Sequence, residues 1–529
     1  MIIHVRTMLS GTGAMLVALA VCPALCSSVH AQVLLSPGFE EPTAADAKPG
    51  TATEVEPDPA EPSKTEFRLH PAAEPDPALR YRLWPSVASQ RSDDAVPFIT
   101  RALLLQRQAI HADDASARDF TENFNRFAEA ALDELPLEEL RSFIARYGET
   151  ALQELSRAEN RMGSNYDLSL HELSLREAVS VLLPEIQETR SLARLLQLRI
   201  RLAMAEGRWD DAIDDLRLGM RLSEFAGRST NLIISRLVGF AIAGVMLGTM
   251  EEAIRQPDCP NLYWALATVP VDRLFEIGDA VEYELDLIGR FGGSGSVLPN
   301  TPIGAESARR RMFELVGSLA SATDWDSSIA DSRESVENVL WLSIGAFTIL
   351  SGDRARQILA ETTPWGEQAH ELSIAEAVLR AALLKISRIQ DTQVKWMLLP
   401  QPQSSEHIHK VESAVKEAMS MRDPVTALVV GLLSPASTQA RAAGGRSERQ
   451  LHLLVTLEAL RMHAASHGEL PESLEQLDPV PAWNDPVTTQ PFSYQRTSAT
   501  TATLQRPRRW TSDRDTEIRI ELAKQGDLP

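Results

Sequence analysis

Cysteine is scarce in this chain, and negative charge outweighs positive charge. The 529 residues include 3 cysteines, of which Cys22 and Cys26 lie in an N-terminal segment that we expect to be cleaved. The mature chain would keep Cys259 alone, so no internal disulfide could form. Lys and Arg total 52 against 73 Asp and Glu, a formal charge of −21. Phosphate backbones repel so acidic a chain, which argues against a nucleic-acid partner.

Familiar catalytic and cofactor-binding motifs are also lacking. There is no Gly-x-Ser-x-Gly elbow, no Gly-Lys-Ser/Thr phosphate loop and no Cys-x-x-Cys-His haem site. His171 and His370 each precede a glutamate but lack the second histidine of a zinc-binding helix. The Gly/Ser run over 292–296 lacks a following lysine and is typical of a linker. No histidine close in sequence could activate Cys259, which favours a buried, inert thiol.

The N-terminus has the pattern of a secretory signal. Arg6 precedes an apolar run over residues 14–25, and small residues precede Gln32. A lipoprotein signal fits less well, because large residues stand directly before both cysteines of this segment. A third possibility is that the signal stays uncleaved and anchors the protein in the inner membrane. We expect export, with no stable membrane span after cleavage.

Composition and helical periodicity divide the chain into segments. We predict a mainly α fold, an irregular helical bundle or solenoid ending in a small helix and β-hairpin module. The predicted segments are a signal peptide over 1–31, a disordered Pro/Ala/Glu-rich tether over 32–77, a helical domain over 78–288, a Gly/Pro-rich loop over 289–304, a second helical region over 305–433, a linker over 434–448 and the C-terminal module over 449–529.

One predicted helix, over residues 232–250, is apolar nearly all round. Arg236 interrupts it and leaves about 14 uncharged residues, where a bilayer span needs roughly 20. Its small residues permit close helix contacts, so we predict a helix buried within a bundle. The shorter apolar stretch over 339–350 receives the same interpretation.

Residues 202–224 resemble the centre of a tetratricopeptide repeat. Gly207 stands at the turn between helices, Trp209 follows it, and Ala212 lies where the helices would pack closely. No convincing copies occur 34 residues away, and an array needs about three repeats. The resemblance therefore implies one helical hairpin, which in that family contributes to interaction surfaces.

Residues 449–505 resemble the soluble head of type II secretion pseudopilins. The resemblance is carried by Leu470-Pro471, Leu474, Leu477, Asp485-Pro486 and the run Pro491-Phe492-Ser493-Tyr494. The hydrophobic N-terminal helix of pseudopilins is missing from this position. A wider resemblance, to an uncharacterised family of planctomycete-type secreted proteins, is carried by "ALRYRLWP", "NLYWALATVP", "VKWMLLPQPQ" and "VPAWNDPVTTQPFSYQ". It implies helical architecture and export, and it brings no activity.

His463 and His467 are the best-spaced candidate metal ligands. They lie four residues apart, which places two imidazoles on one helical face, with His452 about three turns earlier. Glu458 and Glu469 are the nearest further ligands. A solvated or capping role near the helix end is favoured, where histidine also suits the helix dipole.

Other candidates are weaker. Asp485, with Asp478, could hold calcium as pseudopilin heads do, but a turn-forming Asp-Pro is favoured. His407 and His409 would point to opposite sides of a helix. The carboxylates of "WDDAIDD" alternate with apolar residues as a solvated helix face does. We assign no catalytic, cofactor-binding or metal-binding residue and expect no cofactor.

These patterns favour an exported, non-enzymatic helical scaffold of the bacterial cell envelope that binds another envelope protein. The alternative is a secreted or periplasmic hydrolase whose site is assembled from residues distant in sequence.

Overall fold

The computed structural model describes residues 63–164, 166, 183–291, 298–321, 345–346, 348–362, 365–405, 407, 410–411, 413, 424–505 and 516–523. The predicted signal peptide and most of the predicted tether lie outside these residues, as do His171, His409 and the Gly/Ser run over 292–296.

The prediction of a mainly α-helical fold is confirmed, and a small strand module lies near the C-terminus. Besides the numbered α-helices given next, an unnumbered helix covers residues 348–360. The α-helices are α1 Val96–Ile110, α2 Asp114–Glu129, α3 Leu137–Tyr147, α4 Glu149–Ser156, α5 Leu183–Ala205, α6 Trp209–Gly227, α7 Ile233–Ile254, α8 Tyr263–Ala267, α9 Val271–Phe275, α10 Gly278–Phe291, α11 Ala305–Ser321, α12 Ile374–Met397, α13 Gln401–Ser405 and α14 Pro424–His467.

The predicted hairpin corresponds to α5 and α6, which are joined at Gly207. This glycine has a φ of 70°, a conformation that glycine adopts without steric cost. Ala212 is buried in the hairpin, where its small side chain permits close helix packing. The second helix continues into a close crossing with α7, where Gly227 and Gly239 meet. The hairpin therefore belongs to the main core of the protein.

α7 is the helix predicted to be apolar all round. Its length and composition would allow it to cross a membrane, and 67% of its most apolar window is buried inside the protein. Arg236 is buried too, and its Nη2 donates to Asp279 Oδ2 at 2.7 Å. The prediction of a helix buried against its neighbours is confirmed for this segment. The same prediction for the stretch over 339–350 is wrong at its described end, where Ile349 and Leu350 are 74% and 80% exposed.

The strand module is larger than the predicted hairpin. β4 Ser493–Arg496 pairs antiparallel with β5 Thr501–Gln505, and β5 pairs antiparallel with β6 Thr516–Leu522. β1 Ser63–Leu69 then pairs with β6 in parallel, which gives the order β1-β6-β5-β4. A separate two-stranded parallel pair is formed by β2 Arg91–Asp94 and β3 Arg161–Gly163.

β1 corrects the predicted end of the tether. Its residues fall inside the segment 32–77, for which composition predicts disorder, yet Phe67 and Leu69 are fully buried. Alternation of polar and apolar residues over these positions suits a strand with one covered face. Its pairing with β6 also joins the start of the described chain to its end, so the C-terminal module is not a separate unit.

α14 corrects the predicted linker. Residues 434–448 are rich in small residues, but they lie inside one 44-residue helix. Their small size serves packing, because a Cβ on Gly444 would lie 2.7 Å from the Phe275 carbonyl oxygen. Ala440 is likewise fully buried. The helix that was expected to begin at residue 449 therefore starts before the predicted boundary.

In the described ranges, buried apolar side chains form two cores. The larger core contains β1, β5, β6, the helices from α1 to α10 and the second half of α14. The smaller core is built from α11, the helix over 348–360 and the first half of α12, around Trp365 and Leu379. α12 links them, because Met397 at its end packs in the larger core.

Candidate functional site

The part of α14 from Arg441 onwards carries an unusual number of buried polar and charged side chains. α14 is 44 residues long and packs against neighbours on several sides, so some of its charged side chains are buried as well. Each buried charge needs a partner of opposite charge or a hydrogen bond, because burial without one is costly. The buried members include Arg441, Arg449, Glu458, Arg461 and His463. These side chains, together with His452, Glu448 and the loop over 483–485, are the candidate functional site.

His452 is held in one orientation by the loop over 483–485. Its Nδ1 lies 2.7 Å from the Asn484 carbonyl oxygen, and its ring meets the Trp483 ring edge-on at 4.9 Å. Since a carbonyl only accepts, Nδ1 carries the proton and Nε2 keeps a lone pair. Nε2 is buried and has no hydrogen-bond partner among the described residues. Burial lowers the pKa of His452, against the opposing effects of Asn484 and Asp485.

Arg449 and Asp485 form the closest ion pair of this region. Arg449 Nε lies 2.6 Å from Asp485 Oδ2, and both side chains are almost fully buried. The other carboxylate oxygen, Oδ1, accepts from the backbone N–H groups of Val487 and Thr488 at 2.8 Å each. This is the turn-forming role that the sequence favoured for Asp485 over a calcium ligand.

Glu448 lies one turn before His452 on the same helix and has no cation of its own. Arg441, two turns earlier on α14, donates from Nη1 to Glu276 Oε2 at 2.7 Å, and Arg449, the next residue, pairs with Asp485. No ion pair of Glu448 occurs among the described residues. Burial, followed by repulsion from Glu276, raises the pKa of Glu448 to about 7, while Arg441 opposes the shift.

His463 and His467 come together as predicted, but the hydrogen bond of His463 does not favour a metal shared by the two rings. Their rings stack with centroids 4.1 Å apart and planes 13° from parallel. The Asp478 N–H donates to Nδ1 of His463 at 3.3 Å, so the neutral ring carries its proton on Nε2. That proton occupies the lone pair a metal would need. Glu469 pairs instead with Arg496 at 2.7 Å.

Near the C-terminal end of α14, Glu458 and Arg461 form a fully buried ion pair. Arg461 Nη1 lies 2.9 Å from Glu458 Oε1, and neither side chain is exposed. The same guanidinium donates to the carbonyl oxygens of His70 and Cys259 at 2.8 and 2.6 Å. One buried side chain thus ties two distant segments to the helix.

The prediction of a buried Cys259 is confirmed. The thiol is 2% exposed, and burial raises its pKa to about 12. A thiol that seldom ionises is a poor nucleophile.

The remaining candidates are dispersed. His370 and Glu371 lie in a 3₁₀ turn over Gly366–Glu371, which cannot present an α-helical zinc motif. His407 packs on the Trp396 ring at 4.1 Å. Within the part of the chain that the structure describes, no group of three or more His, Cys, Asp or Glu side chains could hold a metal ion.

Sequence reasoning missed Arg441, Gly444 and Glu448 because they fall in the predicted linker. The signal that could have found them is their spacing. Positions 441, 444 and 448 recur at the three- and four-residue intervals of one helical face.

No family model, curated protein or solved structure matches this chain. The resemblances to a tetratricopeptide repeat, to pseudopilin heads and to planctomycete-type secreted proteins therefore stay predictions.

Proposed function

We propose that this protein is an exported, non-enzymatic scaffold of the bacterial cell envelope that binds another envelope protein. The observation that carries the proposal is a set of exposed apolar side chains on the smaller core. Ile349 and Leu350 are 74% and 80% exposed, and Phe313 is 46% exposed. Thr348 Oγ1 lies 3.8 Å from Met312 Sδ, which brings the helix over 348–360 to α11 beside Phe313. Grouped exposed apolar residues are typical of protein-binding surfaces.

Four of the buried arginines support a scaffolding role. Each of these four holds a backbone carbonyl of a segment distant in sequence while it pairs with a carboxylate. Charge-assisted hydrogen bonds of this kind fix loops against helices and favour a rigid frame. The arginines and the carbonyls they hold are Arg201 with Phe127, Arg221 with Glu159, Arg380 with Pro299, and Arg461 with His70.

Site-specific photocrosslinking in intact cells tests the scaffold proposal. A benzophenone amino acid replaces Phe313, where an aromatic ring already stands, and a matched probe replaces Val87, which is 87% exposed and lies outside the smaller core. We expect one dominant adduct with an envelope protein from position 313 and none from position 87. The adduct should disappear when Ile349→Glu and Leu350→Glu are added. Equal labelling at both positions, or none at position 313, would contradict the proposal.

A second candidate function, a secreted or periplasmic hydrolase, is supported by His452. Its Nδ1–H is fixed by a carbonyl and its Nε2 lone pair is free to accept a proton, as in a general base. Turnover of chromogenic esters, amides and glycosides by the wild-type protein, abolished in His452→Gln, would favour this candidate. The His370→Gln variant, in an exposed turn, serves as the control. If the wild-type protein turns over these substrates no faster than buffer alone does, the hydrolase candidate is ruled out.

A further inference from the structure

Two arginines lie side by side where α6 ends and α7 begins. Arg228 directly follows α6, and Arg236 lies in the first turn of α7. Arg228 Nε donates to the backbone carbonyl oxygen of Arg273, on α9, at 3.1 Å. This bond holds the Arg228 guanidinium in place, although its side chain is 33% exposed, whereas Arg236 is 2% exposed. We call Arg228 and Arg236 the arginine pair.

The arginine pair shares a single carboxylate, that of Asp279. Arg236 Nη2 donates to Asp279 Oδ2 at 2.7 Å, and Arg228 Nη1 lies 4.0 Å from the same oxygen, which is too far for a hydrogen bond. Among the described residues, no other carboxylate oxygen lies within 4.0 Å of either guanidinium group. Two positive charges therefore meet one negative charge at this place.

The other carboxylates of this region have contacts of their own. These are Glu224 with Arg221 and Arg273, Glu276 with Arg441, and Glu284 with the Ile233 N–H. Asp272 is exposed and forms no ion pair with either member of the arginine pair in the described part of the chain. Only Asp279 is thus placed to balance the arginine pair.

Several N–H donors of the arginine pair make no hydrogen bond with the described residues. Nε of Arg236 is buried and has no acceptor there. Arg228 reaches an acceptor through Nε only, so both of its Nη nitrogens are left without one among these residues. A buried guanidinium group without acceptors is costly. Burial is the largest cause that lowers the pKa of both arginines, and Asp279 opposes it in each case.

We propose that the arginine pair binds a tetrahedral oxyanion, phosphate or sulfate, either free or as the terminal group of an ester. Two guanidinium groups match the double charge of such an anion, and its several oxygens accept from several N–H donors at once. Asp279 is 56% exposed, so its side chain can turn towards solvent as the anion binds. It also lies in the first turn of α10, where the helix dipole favours negative charge. The inference does not depend on the proposed function.

Calorimetric titration with inorganic phosphate, at an ionic strength held constant with sodium chloride, tests the inference. We expect one phosphate to bind per chain of the wild-type protein. Arg228→Gln removes a partly exposed cation, leaves Arg236 in the core, and should weaken phosphate binding by about tenfold or more. Asp279→Asn removes the competing carboxylate and should strengthen phosphate binding.

Glu306 and Arg309 supply matched controls, because they form an exposed ion pair on α11. Arg309→Gln and Glu306→Gln should leave the phosphate affinity unchanged. Titrations with sulfate and glycerol phosphate identify the source of the anion. Binding of glycerol phosphate at least as tight as that of phosphate indicates an ester, and weaker binding indicates a free anion. Absence of saturable binding at millimolar concentrations of all three would overturn the inference, as would an unchanged affinity in Arg228→Gln.

A second measurement locates the bound anion. Tungstate is a heavy tetrahedral oxyanion, and crystals of the protein soaked in it should show an anomalous difference peak. We expect this peak within hydrogen-bonding distance of both Arg228 and Arg236, and we expect it to be lost in crystals of Arg228→Gln. Tungstate found only at other places on the protein would contradict the inference.

Discussion

Arg461 joins three segments of the chain through one buried guanidinium. It pairs with Glu458 and donates to the carbonyl oxygens of His70 and Cys259. Arg461→Ala would leave the carboxylate buried without a cation, and breaking such a pair costs about 3–5 kcal/mol. We expect the free energy of unfolding, measured with urea, to fall by that amount.

Two variants check the reason for this loss. Arg309→Ala removes an exposed pair with Glu306 and should change the free energy of unfolding by no more than about 0.5 kcal/mol. The double variant Glu458→Gln with Arg461→Met removes both charges and should be more stable than Arg461→Ala alone. If the double variant is less stable than the single one, the uncompensated charge is not the cause.

Cys259 should be inert in the folded protein. Its pKa is raised to about 12 from an ordinary 9.0, which lowers the thiolate fraction about a thousandfold. We expect an aromatic disulfide reagent to label the native protein far more slowly than glutathione, and at the glutathione rate in urea. Native labelling as fast as that of glutathione would contradict the buried thiol.

The behaviour of single residues was predictable where local chemistry decides it. The inert thiol of Cys259 could be predicted because no histidine lies near it in sequence. The turn-forming role of Asp485 could be predicted because an Asp-Pro pair is a local turn signal. Glu448 could not, because its pKa depends on burial and on Glu276, which lies far away in sequence and comes close only in the folded state.

Helices α6 and α7 cross so closely that glycine is required at their contact. A Cβ on Gly239 would lie 2.7 Å from both Gly227 Cα and the Ser223 carbonyl oxygen. Because backbone atoms cannot swing aside as a side chain can, Gly239→Ala should lower the free energy of unfolding by about 1–3 kcal/mol. Thermal and urea unfolding would measure the loss.

Gly248 on the same helix provides the matched control. A Cβ there meets nothing within 4 Å. Gly248→Ala should therefore gain about 1 kcal/mol from the higher helix propensity of alanine. If both alanine variants are equally stable, the crossing is looser than the contact at Gly239 indicates.

The helices were easier to predict than their ends and the strands. Periodic apolar residues identified α5, α6 and α7, but the small residues over 434–448 suggested a linker inside α14. A run of small residues can form a solvated linker or a closely packed part of a helix, and its composition is the same in both cases. Only the segment that packs against it in the folded protein distinguishes the two. β1 was missed because it follows an acidic, proline-rich segment and pairs with residues more than 400 positions away.

Among the described residues, carboxyls with a raised pKa outnumber those with a lowered pKa, and this balance favours mildly acidic pH. The two carboxyls with a lowered pKa are Asp113 and Glu206. A carboxyl whose pKa is raised on folding loses stability as pH rises from its unfolded to its folded pKa. Burial is the first cause for each of the buried carboxyls with a raised pKa, which are Glu159, Asp215, Glu284, Glu448 and Glu458. His452 and His463, with lowered pKa values, act in the opposite direction below about pH 6.5.

We therefore expect the free energy of unfolding to be greatest near about pH 5 and to decline towards pH 8. Glu284 provides the test, because its carboxylate accepts from the Ile233 N–H at 2.6 Å and burial raises its pKa to about 7. Its share of the decline is about 1–3 kcal/mol, and Glu284→Gln should lose that share, whereas Glu472→Gln should not. A free energy of unfolding that rises from pH 5 to pH 8 would mean that these carboxyls are already ionised in the folded protein. The histidines would then determine its pH dependence.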